Sequence, residues 1–299
     1  MAVDTGCTIA RRLRRAYALA THDAHTQIMP MFKALRQMFA PVEEEEGTRA
    51  SVPPGERYYV IGDIHGRLDL LEELAIAIEE DDRKRRKADS TVVSLGDLVD
   101  RGPDSAGVIA FIRDWQQRRK MRVLAGNHEE MFLDSFEEPA MLRHFLKHGG
   151  RETLLSYGIK SKDLKKLTLE ELQKEIRKAV PKSDRNFLRS FENMIVAGDY
   201  VFVHAGIDPT RPLDKQKRKD MLWIRERFLR HDEPLEYKVV HGHTISEEVE
   251  DENHRIGIDT GAFRSGLLTA LVLEGTERRI IQAVDTDGVI SIRHIEGTT

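Results

Sequence analysis

Between residues 58 and 124 the apolar positions follow two periods in turn. Tyr58 to Ile61, residues 91–95 and Met121 to Leu124 are short, mainly apolar runs without alternation, as expected of strands buried on both faces. Between them the period lengthens. Leu70, Leu71, Leu74, Ile76 and Ile78 predict a helix over 68–87, and Val108, Ile109, Phe111, Ile112 and Trp115 predict another over 105–119. Strand, helix, strand, helix, strand at a spacing of ~30 residues is the size of βαβ units, so a parallel sheet with right-handed crossovers follows.

Beyond residue 124 the pattern is less regular. Helical character covers 129–138, 141–147 and the charge-rich stretch 161–182, with a break at His148-Gly149-Gly150. This block, 129–195, reads as a helical cap over one side of the sheet edge. Strands return at 195–197 and 200–203, joined by the hairpin signal Gly198-Asp199. A helical turn at 222–229 and the strand residues Val239-Val240 come next. The tail runs 255–258, 267–273, 280–284 and 289–292 predict a second, largely antiparallel sheet packed on the first. The mixed charges from Glu79 to Lys87 read as a solvated helix face.

Residues 1–40 form a separate arm. Ile9, Leu13, Ala16, Tyr17 and Ala20 recur near helical spacing beside Arg11, Arg12, Arg14 and Arg15, and Met31, Phe32, Leu35, Met38 and Phe39 follow Pro30. A helix packed on the main domain or on a second subunit is the simpler reading; a basic amphipathic surface for a partner or a membrane is the alternative. His22 and His25 have ligand-like spacing, but nothing nearby completes a site. Residues 41–57, with Glu43 to Glu46 and Pro53-Pro54-Gly55, read as a linker. The main domain is 58–299.

The net charge of -4 over 299 residues gives no global attraction to nucleic acid. The single cysteine, Cys7, allows no intrachain disulfide, and no run reaches the ~18 apolar residues of a spanning helix. A cytoplasmic protein is the expectation.

Chemistry-bearing residues cluster where the apolar runs stop. Asp63 and His65, two apart at a strand end, can clasp one cation together. Asp97 can place an oxygen on each of two cations. Asn127, His204 and His243 offer an amide oxygen and two imidazoles. Mixed carboxylate, amide and imidazole donors suit Mn²⁺, Fe or Zn²⁺ better than Ca²⁺. Such a pair of divalent ions clamps a phosphate, which Asn127 can also touch, and activates a water for in-line attack. His128 is placed to protonate the leaving oxygen, with Asp100 holding its imidazole. Arg101 can fork onto phosphate oxygens, and Arg225 is chosen over Arg227 as a second clamp.

The stretches Gly62 to Gly66, Gly96 to Gly102, Gly126 to Glu129, His204 to Gly206 and Gly242 to Thr244 resemble the calcineurin-like metallophosphoesterases. More narrowly they resemble the bacterial and phage serine/threonine protein phosphatases. The resemblance extends to Gly149 to Leu154 and Ile258 to Ala262, and it does not cover the arm. It implies an α/β fold, a four-layer α/β/β/α sandwich with a helical cap insertion. It also implies one cation on Asp63, His65 and Asp97 and a second on Asp97, Asn127, His204 and His243. His241 would lie behind the ligands or outside the site. Two divalent ions, expected to be Mn²⁺, would serve a phosphoric monoester hydrolase acting on phosphoserine or phosphothreonine in proteins or on a small phosphoester. A bis(5'-nucleosyl)-tetraphosphatase-like hydrolase of dinucleoside polyphosphates is the rival enzyme. A non-catalytic scaffold with a structural metal site is the rival of another class.

Overall fold

The computed structural model describes residues 49–297. The arm, and the linker up to residue 48, lie outside the described residues, as do His22, His25 and Cys7.

Three strands begin the domain: β1 (Glu56–Ile61), β2 (Asp89–Ser94) and β3 (Met121–Val123). Helices α1 (Leu68–Lys84) and α2 (Ser105–Arg118) connect them, and β1, β2 and β3 pair in parallel. Tyr59 and Ile61 face the helices, while Tyr58 and Val60 face the opposite side. Both faces of β1 are therefore buried, which is why its sequence is apolar without alternation.

A block of short helices follows: α3 (Asn127–Asp134), α4 (Pro139–Phe145), α5 (Arg151–Ser156), α6 (Ser161–Lys166), α7 (Leu169–Ala179) and α8 (Lys182–Arg189). Phe132, Phe136, Phe145, Leu154, Leu172, Ile176 and Leu188 join the same core as α1 and α2. The block thus shares one core with the α1–α2 layer. The expected break falls at His148 and Gly149, whose φ of -102° and 109° interrupt the helical path before α5.

The second sheet holds β4 (Met194–Ala197) and β5 (Tyr200–Val203); after α9 (Arg218–Trp223) and α10 (Glu226–Leu229) it adds β6 (Lys238–His241), β7 (Glu250–Asp251) and β8 (Arg255–Gly257). Its order is β4-β5-β6-β8-β7, with β5, β6 and β8 parallel. Phe202, Val240 and Ile256 meet Val60, Val93 and Leu273 between the sheets. Val201, Val203 and Val239 pack outward on Met221, Ile224 and Phe228 of the α9–α10 segment. Helices, sheet, sheet, helices is the four-layer α/β/β/α order that the resemblance implied.

The tail departs from expectation. After α11 (Ala262–Ser265), strands β9 (Leu267–Glu274), β10 (Glu277–Thr286) and β11 (Val289–Ile295) do not build a second sheet. They extend the first, in the order β11-β10-β9-β1-β2-β3. β9 runs antiparallel to β1, from Arg57↔Glu274 to Ile61↔Ala270. The reason is backbone accounting: β1 is buried on both faces, so both of its edges need a partner, and β2 supplies only one.

Two further details differ. The Glu79 to Lys87 run is not simply solvated: Asp81 is buried, accepts the Tyr59 hydroxyl at 2.7 Å and pairs with Arg85 and Arg279. Asp82 meets Arg57, which is fully buried and also bonded to Glu274. The stretch before β1 is already seated on the fold, since Val52 is buried and its amide donates to the Gly275 carbonyl.

Candidate active site

The carboxyl ends of β1, β2, β3, β5 and β6 converge on one edge, and every site residue inferred from the sequence except Arg225 comes from the turn beyond one of these strands. Among the described residues, six non-glycines have positive φ. Five of them are His65 (45°), Asp97 (49°), Asp100 (76°), Arg101 (69°) and His243 (64°); the sixth, Asp287, sits in a hairpin turn. Left-handed backbone at a non-glycine costs of order 1–3 kcal/mol and persists only where surroundings enforce it, typically at functional sites.

Asp97 sits at the centre. Its Oδ2 lies 3.5 Å from His65 Nε2 and 3.9 Å from His128 Nε2. Its Oδ1 lies 3.5 Å from His204 Nε2 and accepts the His128 amide at 3.0 Å. Two clusters of possible metal donors result, sharing Asp97: one with His65 and His128, the other with His204 and His243. Asn127 Oδ1 is 2.9 Å from both His204 Nε2 and His243 Nδ1. Asp63 stands beside this group, with its Oδ1 4.0 Å from His204 and its Oδ2 accepting the His243 amide at 3.0 Å.

Backbone carbonyls orient the rings. Leu95 takes the Nδ1 proton of His204 at 2.9 Å, and Val99 takes that of His65 at 2.8 Å. The Nε2 lone pairs of both rings therefore face inward. Burial holds His65 and His204 below the ordinary imidazole range and His243 down to about 2, so these rings are neutral at pH 7. In the second cluster, acceptor atoms of His204, Asn127 and Asp97 point at one another.

The carboxylates tell the same story. Burial pushes Asp63 well above its ordinary value, and Asp259 and Asp97 add to that. Burial also raises Asp259 to about 6 and Glu129 to about 7, and in both cases the nearby Asp97 charge contributes. Asp63 Oδ1, Asp259 Oδ2 and His243 Nε2 are buried without a hydrogen-bond partner. Buried carboxylates this close, faced by neutral imidazole lone pairs, form a donor set that divalent cations satisfy and hydrogen bonds do not.

Beside the donors lies an acid–base pair. His128 Nδ1 meets Asp100 Oδ2 at 2.6 Å, both buried. Burial alone would lower the His128 imidazole, but Asp97 and the bonded Asp100 outweigh it and raise it. Burial lifts Asp100 despite its bonds to His128 and Thr153. Arg101 reaches His65 Nε2 at 2.7 Å and His128 Nε2 at 3.0 Å, with its guanidinium 4.7 Å from the centre of the Phe263 ring.

The arginines near Trp223 separate. Arg225, exposed at the start of α10, reaches the Thr244 hydroxyl and the His243 carbonyl at 3.5 Å, beside the cluster but short of the other donors. Arg227 is held by Asp208 and Asp220. His241 is buried, lowered to about 4 by burial, and turned toward Phe228, away from the donors.

Three residues had no role in the sequence reading. Glu129 accepts the amides of Gly126, Asp97 and Leu98 at 2.8 Å and so binds two site loops together. Asp259 lies beside Asp63. Thr153 bonds Asp100. Each falls in a stretch that carried the resemblance, but only the folded chain shows what it touches.

The sequence model of the calcineurin-like phosphoesterase family matches residues 56–262. The chain belongs to the calcineurin-like phosphoesterases. As a member of that family it is a hydrolytic enzyme, with a phosphoester as its class of substrate. It is 29% identical over 237 residues to the bis(5'-nucleosyl)-tetraphosphatase PrpE [asymmetrical] of Bacillus subtilis (strain 168), covering 71% of this chain and 88% of that one. It is 37% identical to serine/threonine-protein phosphatase 1 of Salmonella typhimurium (strain LT2), over 93 residues that span 31% of this chain and 38% of that protein. Its fold is similar to the crystal structure of a putative diadenosine tetraphosphatase, with TM-score 0.51 and 22% identity, covering 84% of this chain and all of that one. No helix among the described residues is long and apolar enough to cross a membrane.

Proposed function

We propose that this calcineurin-like phosphoesterase hydrolyses phosphoric monoesters on two divalent cations, with a phosphorylated serine or threonine side chain of a protein as the preferred substrate. Asp63, His65 and Asp97 would hold one cation, and Asp97, Asn127, His204 and His243 the other, with Mn²⁺ the expected metal. When bound, the cations neutralise the phosphate and activate a water against phosphorus. The donor chemistry and the unpartnered atoms of Asp63 and His243 support that assignment.

The protein's own residues do the rest. Arg101 occupies the position facing His128 Nε2, and a nitrogen accepting from Arg101 cannot itself carry a proton. Rotation of the guanidinium onto a phosphate oxygen would free Nε2 to be protonated, so binding of substrate arms the acid. Asp100 accepts from Nδ1 and stabilises the imidazolium, which then gives its Nε2 proton to the leaving oxygen. Arg225, with free reach into solvent, would hold the outer phosphate oxygens.

The observation that carries this reading is the buried 2.6 Å contact between His128 and Asp100. A leaving alkoxide needs a proton far more than a leaving nucleotide phosphate does, so an assembled acid favours an ester of an alcohol. A phosphoanhydride of a dinucleoside polyphosphate is the second reading. It is supported by relatives named bis(5'-nucleosyl)-tetraphosphatase, which align over 86–89% of their own length. Rates on phosphoserine peptides and on diadenosine tetraphosphate, at equal concentrations of Mn²⁺-loaded enzyme, separate the two. Faster peptide turnover supports the first reading, and faster cleavage of the dinucleotide replaces it with the second.

A further inference from the structure

Two buried hydroxyls hold Asp100 from outside the site, and one of them, Thr153, reaches its carboxylate. Thr153, fully buried on α5, donates to Asp100 Oδ1 at 2.6 Å, while Asp100 Oδ2 faces His128. The same hydroxyl oxygen accepts the Asp100 amide at 2.8 Å. Ser105, also fully buried, shares that amide at 3.0 Å and lies 3.0 Å from Thr153 Oγ1. A hydroxyl has one proton, and Thr153 gives its proton to Asp100, so Ser105 must be the donor in that contact. The chain of donation therefore has one direction: Ser105 to Thr153, Thr153 to Asp100, and the His128 N–H to the other Asp100 oxygen.

Thr153 grips Asp100 at two points, its amide and its carboxylate. The amide bond helps to fix the positive φ of Asp100, and the carboxylate bond fixes the side-chain rotation that aims Oδ2 at His128. Four residues earlier the same segment holds the next residue: the Gly149 carbonyl accepts the Arg101 amide at 3.1 Å. A Cβ on Gly149 would run into Arg101. The segment 149–153 thus fixes two adjacent site residues at once.

The geometry assigns Thr153 as the positioning residue of the acid: it orients the Asp100 carboxylate so that His128 presents a proton to the leaving oxygen. This rests on the proposed acid role of His128. Thr153 touches neither a metal donor nor the place a phosphate would take, so its effect should appear in leaving-group protonation and nowhere else.

The test compares wild type, Thr153→Val, Thr153→Ser and His128→Asn as Mn²⁺-loaded enzymes on p-nitrophenyl phosphate, phenyl phosphate and a phosphoserine peptide. p-Nitrophenolate leaves without help, whereas the serine alkoxide requires a proton. General acid catalysis contributes roughly 10²–10⁴-fold, so Thr153→Val should lose about 10- to 100-fold on the peptide and about 3-fold or less on p-nitrophenyl phosphate. Thr153→Ser, which keeps the hydroxyl, should stay within a few-fold of wild type on all three. An equal loss on every substrate, or no loss on the peptide, overturns the assignment. If His128→Asn shows the steep leaving-group dependence and Thr153→Val does not, the Thr153 assignment falls and the His128 acid stands. If neither shows it, both fall. Should Thr153→Val not fold, Thr153→Ala takes its place; the same selective loss supports the assignment, and a uniform rate profile overturns it.

Discussion

The Glu129 carboxylate accepts the amide of Asp97 at 2.8 Å, from a helix 32 residues further along the chain. Its other oxygen takes the amide of Leu98, and the first also takes that of Gly126. The turns after β2 and β3 are thereby made one piece, and the central carboxylate of the site is held at a backbone angle it would not adopt alone.

Replacing Glu129 by Gln would turn an amide NH₂ toward backbone donors. The cost expected for the donors left unpaired is about 2 kcal/mol. For a domain of this size that lowers the melting temperature by ~4–8 °C, and Asp97 loses its set position. Differential scanning calorimetry together with p-nitrophenyl phosphate turnover checks both. A variant with unchanged melting temperature and rate would deny Glu129 its organising role.

Asp97→Asn should retain the fold and lose activity by ~10²-fold or more, with bound metal falling in parallel. Among the described residues, Asp97 is the side chain shared by both donor clusters. Elemental analysis of the purified variant beside its rate is the check; full metal content with full activity would remove Asp97 from the centre.

Under the proposed acid role, protonation of His128 sets the alkaline side of the activity profile. Asp97 and Asp100 raise its pKa above the ordinary 6.5. The acid is charged below that raised value and lost as pH rises through it, so kcat on a poor leaving group should fall on the alkaline side. His128→Asn should abolish that fall along with most of the rate. A profile in which the alkaline limb survives the substitution would exclude His128 as its source.

Without metal, two buried carboxylates should contribute to stability in the opposite sense from the buried neutral imidazoles. Glu129 and Asp259, lifted to about 7 and about 6, bind protons more tightly folded than unfolded. Their contribution is present below the ordinary carboxylate range and is lost as pH rises from about 4 to about 7. Divalent cations bind deprotonated carboxylates and neutral imidazoles, so the rise in melting temperature on adding Mn²⁺ to chelator-treated protein should be larger at pH 8 than at pH 5.5. Equal shifts at the two pH values would contradict this.

Much of the site was legible because its donors sit in short polar turns directly after apolar strands. Asp63, His65, Asp97, Asn127, His128, His204 and His243 all lie where that pattern placed them. Arg227 is engaged by Asp208 and Asp220, whereas Arg225 stands exposed beside His243. What the sequence hid is long-range pairing. The apolar run 267–273 reads as a strand, but nothing in it says that it completes the open edge of β1 in place of founding a new sheet. Thr153 and Glu129 were hidden for a related reason. Hydroxyls and carboxylates next to a glycine turn are common, and their partners, Asp100 and Asp97, lie 53 and 32 residues away.

The most direct measurement is the rate on p-nitrophenyl phosphate before and after exhaustive chelation, with metal content read on the same samples. The account predicts that activity disappears with the metal and returns on adding about two equivalents of a divalent cation per chain. Metal-stripped protein that keeps its full rate would contradict it.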